Sequence, residues 1–308
     1  MKNLLVLLLF PFVFACGGSP EKLSDTPTAG SITVACDESL KPIIEAEEMV
    51  FEELYTNAKL NLVYMSEYDA IQMMLNDSAR MAIVTRELNA EELDVLKDQQ
   101  ISHANYHKLG YDAIAFILNP ANTDTSFSLK QIKSLLNGEF TDWKQVNAKS
   151  GLGKIQVVFD SPKSGSIRLL EDSVLKGMPM GKNCFALKSN PDVIKYVQEN
   201  KGAIGIIGVS WISDPDDVQA KGFLSNLKVA EVEPILMRVA GITNKPIQGN
   251  IALKQYPYWR QVKVASREMR AGLGTGFASF MESEPGQKIF LKGGLVPYRS
   301  SIRTINLN

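Results

Sequence analysis

The sequence predicts an α/β protein of two lobes, in which the first lobe is interrupted by an inserted second one. From Ser31 onward, short apolar runs alternate with segments of helical periodicity, which is the signature of an α/β fold. The pattern changes after Pro120 and returns to strands after Lys228. A chain of 308 residues is also long enough to divide into two cores.

The first part of the chain predicts a β-α-β-α-β-α unit. Its three strands are expected at residues 32–35, 60–64 and 81–84. The apolar face of the first helix is expected to consist of Ile43, Val50, Phe51 and Leu54. Pro42 stands where the first turn of that helix tolerates proline. The next two helices begin at capping-box spacings, Ser66 with Asp69 and Asn89 with Glu92.

The remaining chain predicts the inserted lobe and the return to the first one. The strands of the insertion are expected at residues 111–119, 155–159 and 203–209, and its helices after Ser128, after the turn at 164–166 and from Asn190. Strands at 232–239 and 262–265 and two terminal helices follow. We therefore predict one lobe from residues 31–115 together with 232–308, and a second lobe from residues 116–231.

The N-terminus predicts export and lipid anchoring. Lys2 precedes an apolar run, residues 4–14, that is too short to span a bilayer as a stable helix. Residues 13–16 (VFAC) resemble a bacterial lipobox, whose cysteine, here Cys16, becomes the acylated first residue of the mature protein. Residues 1–15 are thus predicted to be a signal peptide and residues 16–30 a lipid-anchored flexible tether. The alternative is an ordinary signal peptide cut elsewhere, with Cys16 incidental.

The composition gives no indication of a nucleic-acid partner or of a polybasic membrane face, because 33 basic residues nearly balance 34 acidic ones. We expect a monomer on the periplasmic or cell-surface side of a bacterial membrane, without a cofactor or a metal. After Cys16 only Cys36 and Cys184 remain. Two buried thiols are expected, although a disulfide between them stays open because sequence distance says nothing about geometry.

Several predicted strands stop at a polar loop just before a helix begins. This occurs after residues 35, 64, 84 and 159. Helix starts leave backbone N–H groups unsatisfied and carry a positive partial charge, so several converging starts can bind an anion without net basic charge. In open α/β sheets, ligands sit at the carboxyl ends of strands. The alternative is that Ser39, Ser66 and Ser164 merely cap helices.

Residues 30–305 resemble the phosphate-binding protein family of phosphate ABC transporters, in the lipoprotein form of Bacteroidetes-type bacteria. The resemblance is carried by residues 33–39 (TVACDES), 82–88 (AIVTREL), 111–115 (YDAIA), 159–166 (FDSPKSGS), 202–208 (GAIGIIG) and 293–297 (GGLVP). It implies a type II periplasmic binding-protein fold, an anion held between two hinged lobes, and delivery to an ABC permease. Phosphate or a related oxyanion is the implied ligand.

The resemblance also assigns site residues. The turn formed by Ser164, Gly165 and Ser166 matches the Ser-Gly-Thr turn that donates hydroxyls and backbone N–H groups to the anion. The other matched positions are Glu38 and Ser39 in the first loop, Ser66 in the second and Thr85 in the third.

Two departures from the family pattern concern charge. Asp160 stands where the family has an arginine, and Thr85 stands where it has an aspartate that accepts a proton of phosphate. Arg86 and Arg168 are candidates to restore the positive charge, since a guanidinium binds an oxyanion bidentately; the alternative for each is a surface ion pair. Asp37 or Glu38 is the candidate to replace the acceptor. The departures leave open whether the ligand is phosphate or another anion.

Other readings of the chain are weaker. His103 and His107 have the spacing of a zinc pair on a helix, but the intervening residues look irregular or strand-like. The glycines at 272, 274 and 276 more readily start a helix than bind phosphate. A hydrolase using Ser164 or Ser166 as nucleophile needs a nearby base, and the chain has two histidines. A sensor or surface lipoprotein of the same fold, binding another oxyanion or small organic anion, remains the alternative to a transport protein.

Overall fold

The computed structural model describes residues 25–235 and 241–299, within which twelve strands and ten α-helices are formed, besides four short 3-10 or π-helical turns. The strands in chain order are β1 (Gly30–Asp37), β2 (Ala58–Met65), β3 (Met81–Val84), β4 (Asn105–Leu118), β5 (Ser126–Phe127), β6 (Gln156–Phe159), β7 (Cys184–Ala186), β8 (Ala203–Gly208), β9 (Lys228–Val229), β10 (Glu231–Val232), β11 (Trp259–Ser266) and β12 (Val296–Pro297). The helices are α1 (Lys41–Leu54), α2 (Glu67–Leu75), α3 (Ala90–Asp98), α4 (Leu129–Leu136), α5 (Gly165–Leu170), α6 (Asn190–Glu199), α7 (Val218–Ser225), α8 (Gln248–Ala252), α9 (Leu273–Glu282) and α10 (Glu284–Lys292).

The predicted β-α-β-α-β-α unit is formed by β1 to α3. The buried face of α1 differs from the prediction, since it consists of Ile43, Ile44, Glu47 and Phe51. Leu54 is the last residue of the helix, and its side chain is 58% exposed. A polar glutamate thus occupies a core position that the apolar pattern did not reveal.

One long sheet carries both halves of the molecule, in the order β2-β1-β3-β11-β4-β8-β6-β7. Strand β4 is the connection between the halves: its first part pairs with β11 as far as Ala113, and its second part pairs with β8 from Ile114 onward. The predicted strand at 111–119 begins earlier, at Asn105, because β11 pairs with this extension on both sides of a bulge at Leu109. The change of partner lies close to the predicted lobe boundary at residues 115 and 116, which stays a prediction.

The predicted strand at 232–239 is wrong in extent. Strand β10 covers Glu231–Val232 alone, where it pairs with β5. Pro234 lacks the N–H that a ladder needs, so the strand cannot continue through it. Residues 236–240 lie outside the described residues.

The beginning of the described chain is attached to the first half of the molecule. The Asp25 carboxylate pairs with Arg80 at 3.3 Å and accepts a hydrogen bond from the backbone N–H of Leu273 at 2.9 Å. Residues 25–29, predicted to belong to a flexible tether, are therefore held in place. The predicted signal peptide, Cys16 and the earlier part of the tether lie outside the described residues. Among the residues that are described, no helix combines the length and apolar character needed to cross a bilayer.

The side chains set aside by the sequence analysis have ordinary surroundings. Cys36 and Cys184 are both free thiols, as predicted, but Cys184 is only half-buried. His107 lies in β4 and contacts Glu282 at 3.2 Å. Gly272 directly precedes α9, and Gly274 and Gly276 lie in its first turn, so these glycines start a helix as predicted. Of the three tryptophans, Trp143 and Trp211 are buried and Trp259 is half-buried.

Candidate functional site

The polar loops predicted to form a shared cleft lie together. Strands β1, β2 and β3 are parallel, so their carboxyl ends meet at one edge of the sheet. In the other half, parallel strands β6 and β8 end on the facing side. The first half contributes Asp37 and Ser39, Glu67 and Thr85, and the second contributes Asp160 and the turn at residues 164–166.

Asp37 links the two halves across the cleft. Its Oδ1 atom accepts hydrogen bonds from the backbone N–H of Ser39 at 3.1 Å and from the Ser39 hydroxyl at 2.9 Å. Its Oδ2 atom accepts from the backbone N–H of Gly165 at 3.2 Å. Burial raises the pKa of Asp37 to about 7, and Glu67 and Asp160 add to this rise, whereas Arg260 opposes it. The candidate acceptor Asp37 is therefore at the centre of the cleft.

Glu67, which the sequence analysis missed, is buried beside Asp37. Its Oε1 atom accepts hydrogen bonds from the Thr85 N–H at 2.7 Å and the Thr85 hydroxyl at 2.5 Å. Its Oε2 atom accepts from Arg168 Nε at 2.6 Å, and Arg168 Nη2 reaches Thr85 Oγ1 at 3.0 Å. Burial acts to raise the pKa of Glu67, but Arg168 and Thr85 outweigh it and the pKa is lowered. Thr85 and Arg168 thus lie together in the cleft, and their role in binding a ligand stays a prediction.

Arg260 is the second residue that was missed, and it touches both sides of the cleft. Its guanidinium donates to Asp112 Oδ2 from Nη2 at 2.7 Å and from Nε at 3.0 Å. It also donates to the Ser39 hydroxyl at 2.7 Å and to the Ser166 hydroxyl at 3.2 Å. Burial acts to lower the pKa of Arg260, but Asp112 and Asp37 raise it above its ordinary value.

A sequence signal for Arg260 did exist. In β11 the side chains of Arg260, Val262 and Val264 are buried while the intervening ones are half-buried. A charged residue therefore occupies a core position of an alternating strand, which requires a buried partner. Asp112 stands directly opposite it in β4.

The serines at the start of α5 were considered either as helix caps or as residues of the cleft. Ser164 caps the helix by accepting the Ile167 N–H at 3.4 Å, and Ser166 accepts from Arg260. Both side chains are buried at the cleft. The capping interpretation and the cleft interpretation are therefore compatible.

Asp160, at the position of the family arginine, is a buried carboxyl. Burial raises its pKa to about 6, against the backbone of Ser161 and the hydroxyl of Ser164, which lower it. Its Oδ1 atom is buried and has no hydrogen-bond partner among the described residues. The second half of the cleft therefore contains a carboxyl oxygen that can accept a hydrogen bond from a ligand.

Three predicted site residues have other partners. Both terminal nitrogens of Arg86 bind the Glu92 carboxylate, at 2.6 and 2.7 Å, and its Nε lies 3.8 Å from Glu67 Oε2, so the ion pair is largely buried and not the surface pair weighed as its alternative. The Glu38 carboxylate accepts from the backbone and side chain of Asn190, across the cleft. Ser66 exchanges hydrogen bonds with Asp69 at 2.7 and 3.2 Å, as a helix cap.

The cluster combines acceptors with guanidinium groups rather than with metal ligands. Within residues 25–235 and 241–299, no group of three or more His, Cys, Asp or Glu side chains is arranged to hold a metal ion. Hydroxyls, one backbone N–H and two guanidinium groups converge instead, which is the donor set for an oxyanion.

Gly165 is required for the close approach of the two halves. A Cβ at this position would lie 2.5 Å from Asp37 Oδ2, 2.7 Å from Thr85 Oγ1 and 2.8 Å from Glu67 Oε1. We expect Gly165→Ala to disfavour the closed arrangement by about 1–3 kcal/mol, as overpacking does. Small-angle X-ray scattering should show a larger radius of gyration. Gly222→Ala is the matched control, since a Cβ there meets nothing within 4 Å, and equal scattering from both variants would contradict the steric argument.

Comparison with known proteins gives consistent matches over most of the chain. A family model described as the PBP superfamily domain matches residues 23–285. The Phosphate-binding protein PstS of Bacillus subtilis (strain 168) is 24% identical over 310 residues, covering 96% of this chain and 94% of that protein. The protein of the same name from Borreliella burgdorferi is 23% identical, covering 86% of this chain and 89% of that protein.

Solved structures agree with these matches. A Clostridium perfringens structure with bound phosphate, described as a phosphate ABC transporter substrate-binding protein, has a TM-score of 0.71 at 21% identity and covers 88% of this chain and 100% of that chain. An ABC-type phosphate transport receptor from Vibrio cholerae has a TM-score of 0.63 at 20% identity, covering 87% of this chain and 100% of that chain. These matches confirm the predicted resemblance and the predicted type II periplasmic binding-protein fold.

Proposed function

The chain belongs to the PBP superfamily, and on this premise we propose that it is an extracytoplasmic binding lipoprotein that captures inorganic phosphate between two lobes and delivers it to an ABC importer. The observation that carries the proposal is the position of Arg260. Its buried guanidinium contacts Ser39 in the first half and Ser166 in the second. A fixed positive charge that touches both halves can replace the arginine absent at residue 160.

The proposed binding set is Ser39, Thr85, Ser164, Gly165, Ser166, Arg168 and Arg260, with Asp37 as the acceptor of a ligand proton. In the closed arrangement, carboxylates of the chain satisfy several of these donors: Asp37 those of Ser39 and Gly165, and Glu67 those of Thr85 and Arg168. Phosphate would enter an opened cleft, take over the Gly165 N–H and the hydroxyls, and shift the population toward closure.

Three sequence assignments enter this proposal with less weight. The ion pair of Arg86 with Glu92 favours a structural role for Arg86, and the hydrogen bond of Ser66 with Asp69 favours a helix cap. Glu38 binds Asn190 at the start of α6, which makes it a contact between the halves that helps to hold the closed form.

The known relatives support the transport role. The two bacterial proteins named above are phosphate-binding proteins by name, and one solved neighbour contains phosphate. The proposed partners are an ABC permease, which would dock on the closed form, and the membrane through lipidated Cys16. The predicted monomer and the placement on the periplasmic or cell-surface side complete the proposal.

Two other functions fit less well. A hydrolase would need a base near Ser164 or Ser166, but His103 contacts Ser102 and His107 contacts Glu282. A sensor or surface lipoprotein that binds another oxyanion or a small organic anion is favoured by Asp160, because a carboxyl at a family arginine position changes the charge offered to the ligand.

Isothermal titration with inorganic phosphate tests the proposal. We expect binding by the wild type, and a loss of about 1–3 kcal/mol for Ser164→Ala and for Ser166→Ala, through lost hydrogen bonds to a charged ligand. Ser225→Ala, at an exposed position in α7, is the control. Shifts in Kd below about twofold for both cleft variants would show that the turn is only a helix cap. A wild type that binds another oxyanion or organic anion but not phosphate would favour the alternative.

A further inference from the structure

The carboxyl groups of the cleft outnumber its guanidinium groups. Each arginine near the cleft already has a carboxylate partner: Arg260 binds Asp112, Arg168 binds Glu67, and Arg86 binds Glu92. Among the described residues, neither Asp37 nor Asp160 has a guanidinium that binds it alone. The nearest to Asp37 is Arg260, whose Nη1 lies 3.9 Å away and whose Nη2 is committed to Asp112.

These two carboxyl groups approach the same space from opposite halves. Asp37 is the last residue of β1, and Asp160 directly follows β6. Asp160 begins the loop that leads to Gly165, whose backbone N–H donates to Asp37 Oδ2 at 3.2 Å. Both side chains are buried, at 0% and 4% exposure, and the Asp160 Oδ1 atom has no partner among the described residues.

The charged groups that face the pair come from several elements. Asp37 is faced by Arg260 from β11, by Glu67 from α2 and by Asp160. Asp160 is faced by Glu38, which raises its pKa, and by Arg260, which lowers it. The pair is thus surrounded by more negative than positive charge.

An ionised carboxylate accepts hydrogen bonds and donates none. A ligand oxygen can face Asp37 or Asp160 favourably only if a proton lies between the two oxygens, because two bare anionic oxygens repel. Dihydrogen phosphate has two hydroxyls, one for each carboxylate, and two further oxygens for the donors of Ser39, Gly165 and Ser166. Hydrogen phosphate dianion has only one hydroxyl.

This inference rests on the proposed function. We infer that Asp37 and Asp160 together make the cleft specific for the dihydrogen phosphate monoanion, so that the dianion binds only with uptake of a proton. The bound unit of phosphate and two carboxyl groups then holds two protons, irrespective of which oxygen carries each one. The pKa values of about 7 for Asp37 and about 6 for Asp160, both raised chiefly by burial, agree with a cleft that retains protons near neutrality.

The affinity of the wild type should therefore fall as the pH rises. The second dissociation of phosphate lies near neutrality, as it does for a phosphomonoester with a pKa of about 6. Above this range, uptake of one proton per binding event predicts a Kd for inorganic phosphate that rises about tenfold per pH unit. Isothermal titration from pH 7.5 to 8.5 measures this rise. Titration in buffers of different ionisation enthalpy should show uptake of about one proton at pH 8.5.

Asp37→Asn and Asp160→Asn each remove one acceptor, and an asparagine amide can donate to the dianion. We expect either variant to flatten the pH profile, whereas Asp94→Asn, at an exposed position in α3, should keep the profile of the wild type. Phosphate binding by the wild type with a constant Kd and no proton uptake would overturn the inference and leave the proposed function intact. Absence of phosphate binding across the whole range would overturn both.

Discussion

Replacing Arg260 with methionine is expected to abolish measurable phosphate binding and to lower the free energy of unfolding by about 3–5 kcal/mol. Arg260 is 3% exposed, and its removal leaves the fully buried Asp112 carboxylate without its guanidinium. Burial already raises the pKa of Asp112, so this carboxyl would take up a proton or open the strand pair. Isothermal titration measures the loss of phosphate binding, and denaturant unfolding followed by circular dichroism measures the loss of stability.

A double variant separates stability from binding. Adding Asp112→Asn to Arg260→Met removes the uncompensated charge, so most of the lost stability should return while phosphate binding stays absent. Arg270→Met is the single-site control, because this side chain is 70% exposed in its pair with Asp25. Phosphate binding by the double variant with the affinity of the wild type would show that Arg260 is structural and that the anion is held by other groups.

The loops of the cleft could be predicted because helix starts have a local sequence signature. The serine caps at residues 66 and 164 are read from neighbouring residues, and both are found in the structure. Ser39 and Thr85 were assigned to the site by the family resemblance, and Asp37 was a candidate to replace the family acceptor. What these residues contact depends on strand order, and local sequence does not contain that information.

The missed residues interact over long distances in the chain. Arg260 binds Ser39, which is 221 positions away, and Arg168 binds Glu67, which is 101 positions away. No spacing rule predicts such pairs. Glu67 follows the helix cap at Ser66, and an acidic residue in the first turn of a helix is ordinarily explained by the helix dipole. Its local sequence therefore does not distinguish it from a residue that only stabilises the helix.

Arg86 is the opposite case, because the neighbouring sequence already contained the information that predicts its partner. The capping box of Asn89 with Glu92 was predicted, and it fixes the Glu92 carboxylate at the start of α3. The same carboxylate then receives both terminal nitrogens of Arg86. The ion pair between Arg86 and Glu92 could therefore have been predicted from the sequence. Because Arg86 already binds a carboxylate, it is a weaker candidate for a ligand contact.

Replacing Glu47 with leucine is expected to stabilise the protein by about 3 kcal/mol at pH 7. Glu47 lies on the buried face of α1 with 0% exposure, and neither carboxyl oxygen has a hydrogen-bond partner among the described residues. One turn further along the same face, Phe51 packs against Phe277 and Phe280 with ring centroids 5.2 and 5.4 Å apart. Burial raises the pKa of Glu47 from 4.5 to about 9.

The sign of the pH dependence follows from this raised pKa. Between pH 4.5 and 9 the unfolded chain releases the Glu47 proton while the folded chain retains it, so the free energy of unfolding falls as the pH rises. Glu47→Leu should therefore gain little at pH 4.5 and progressively more toward pH 9, as measured by urea unfolding at several pH values. Glu53→Leu, at an exposed position of the same helix, controls for helix propensity. A gain that does not change with pH would indicate that the carboxyl is ionised in the native state, and a loss of stability at every pH would indicate that it holds a structural partner.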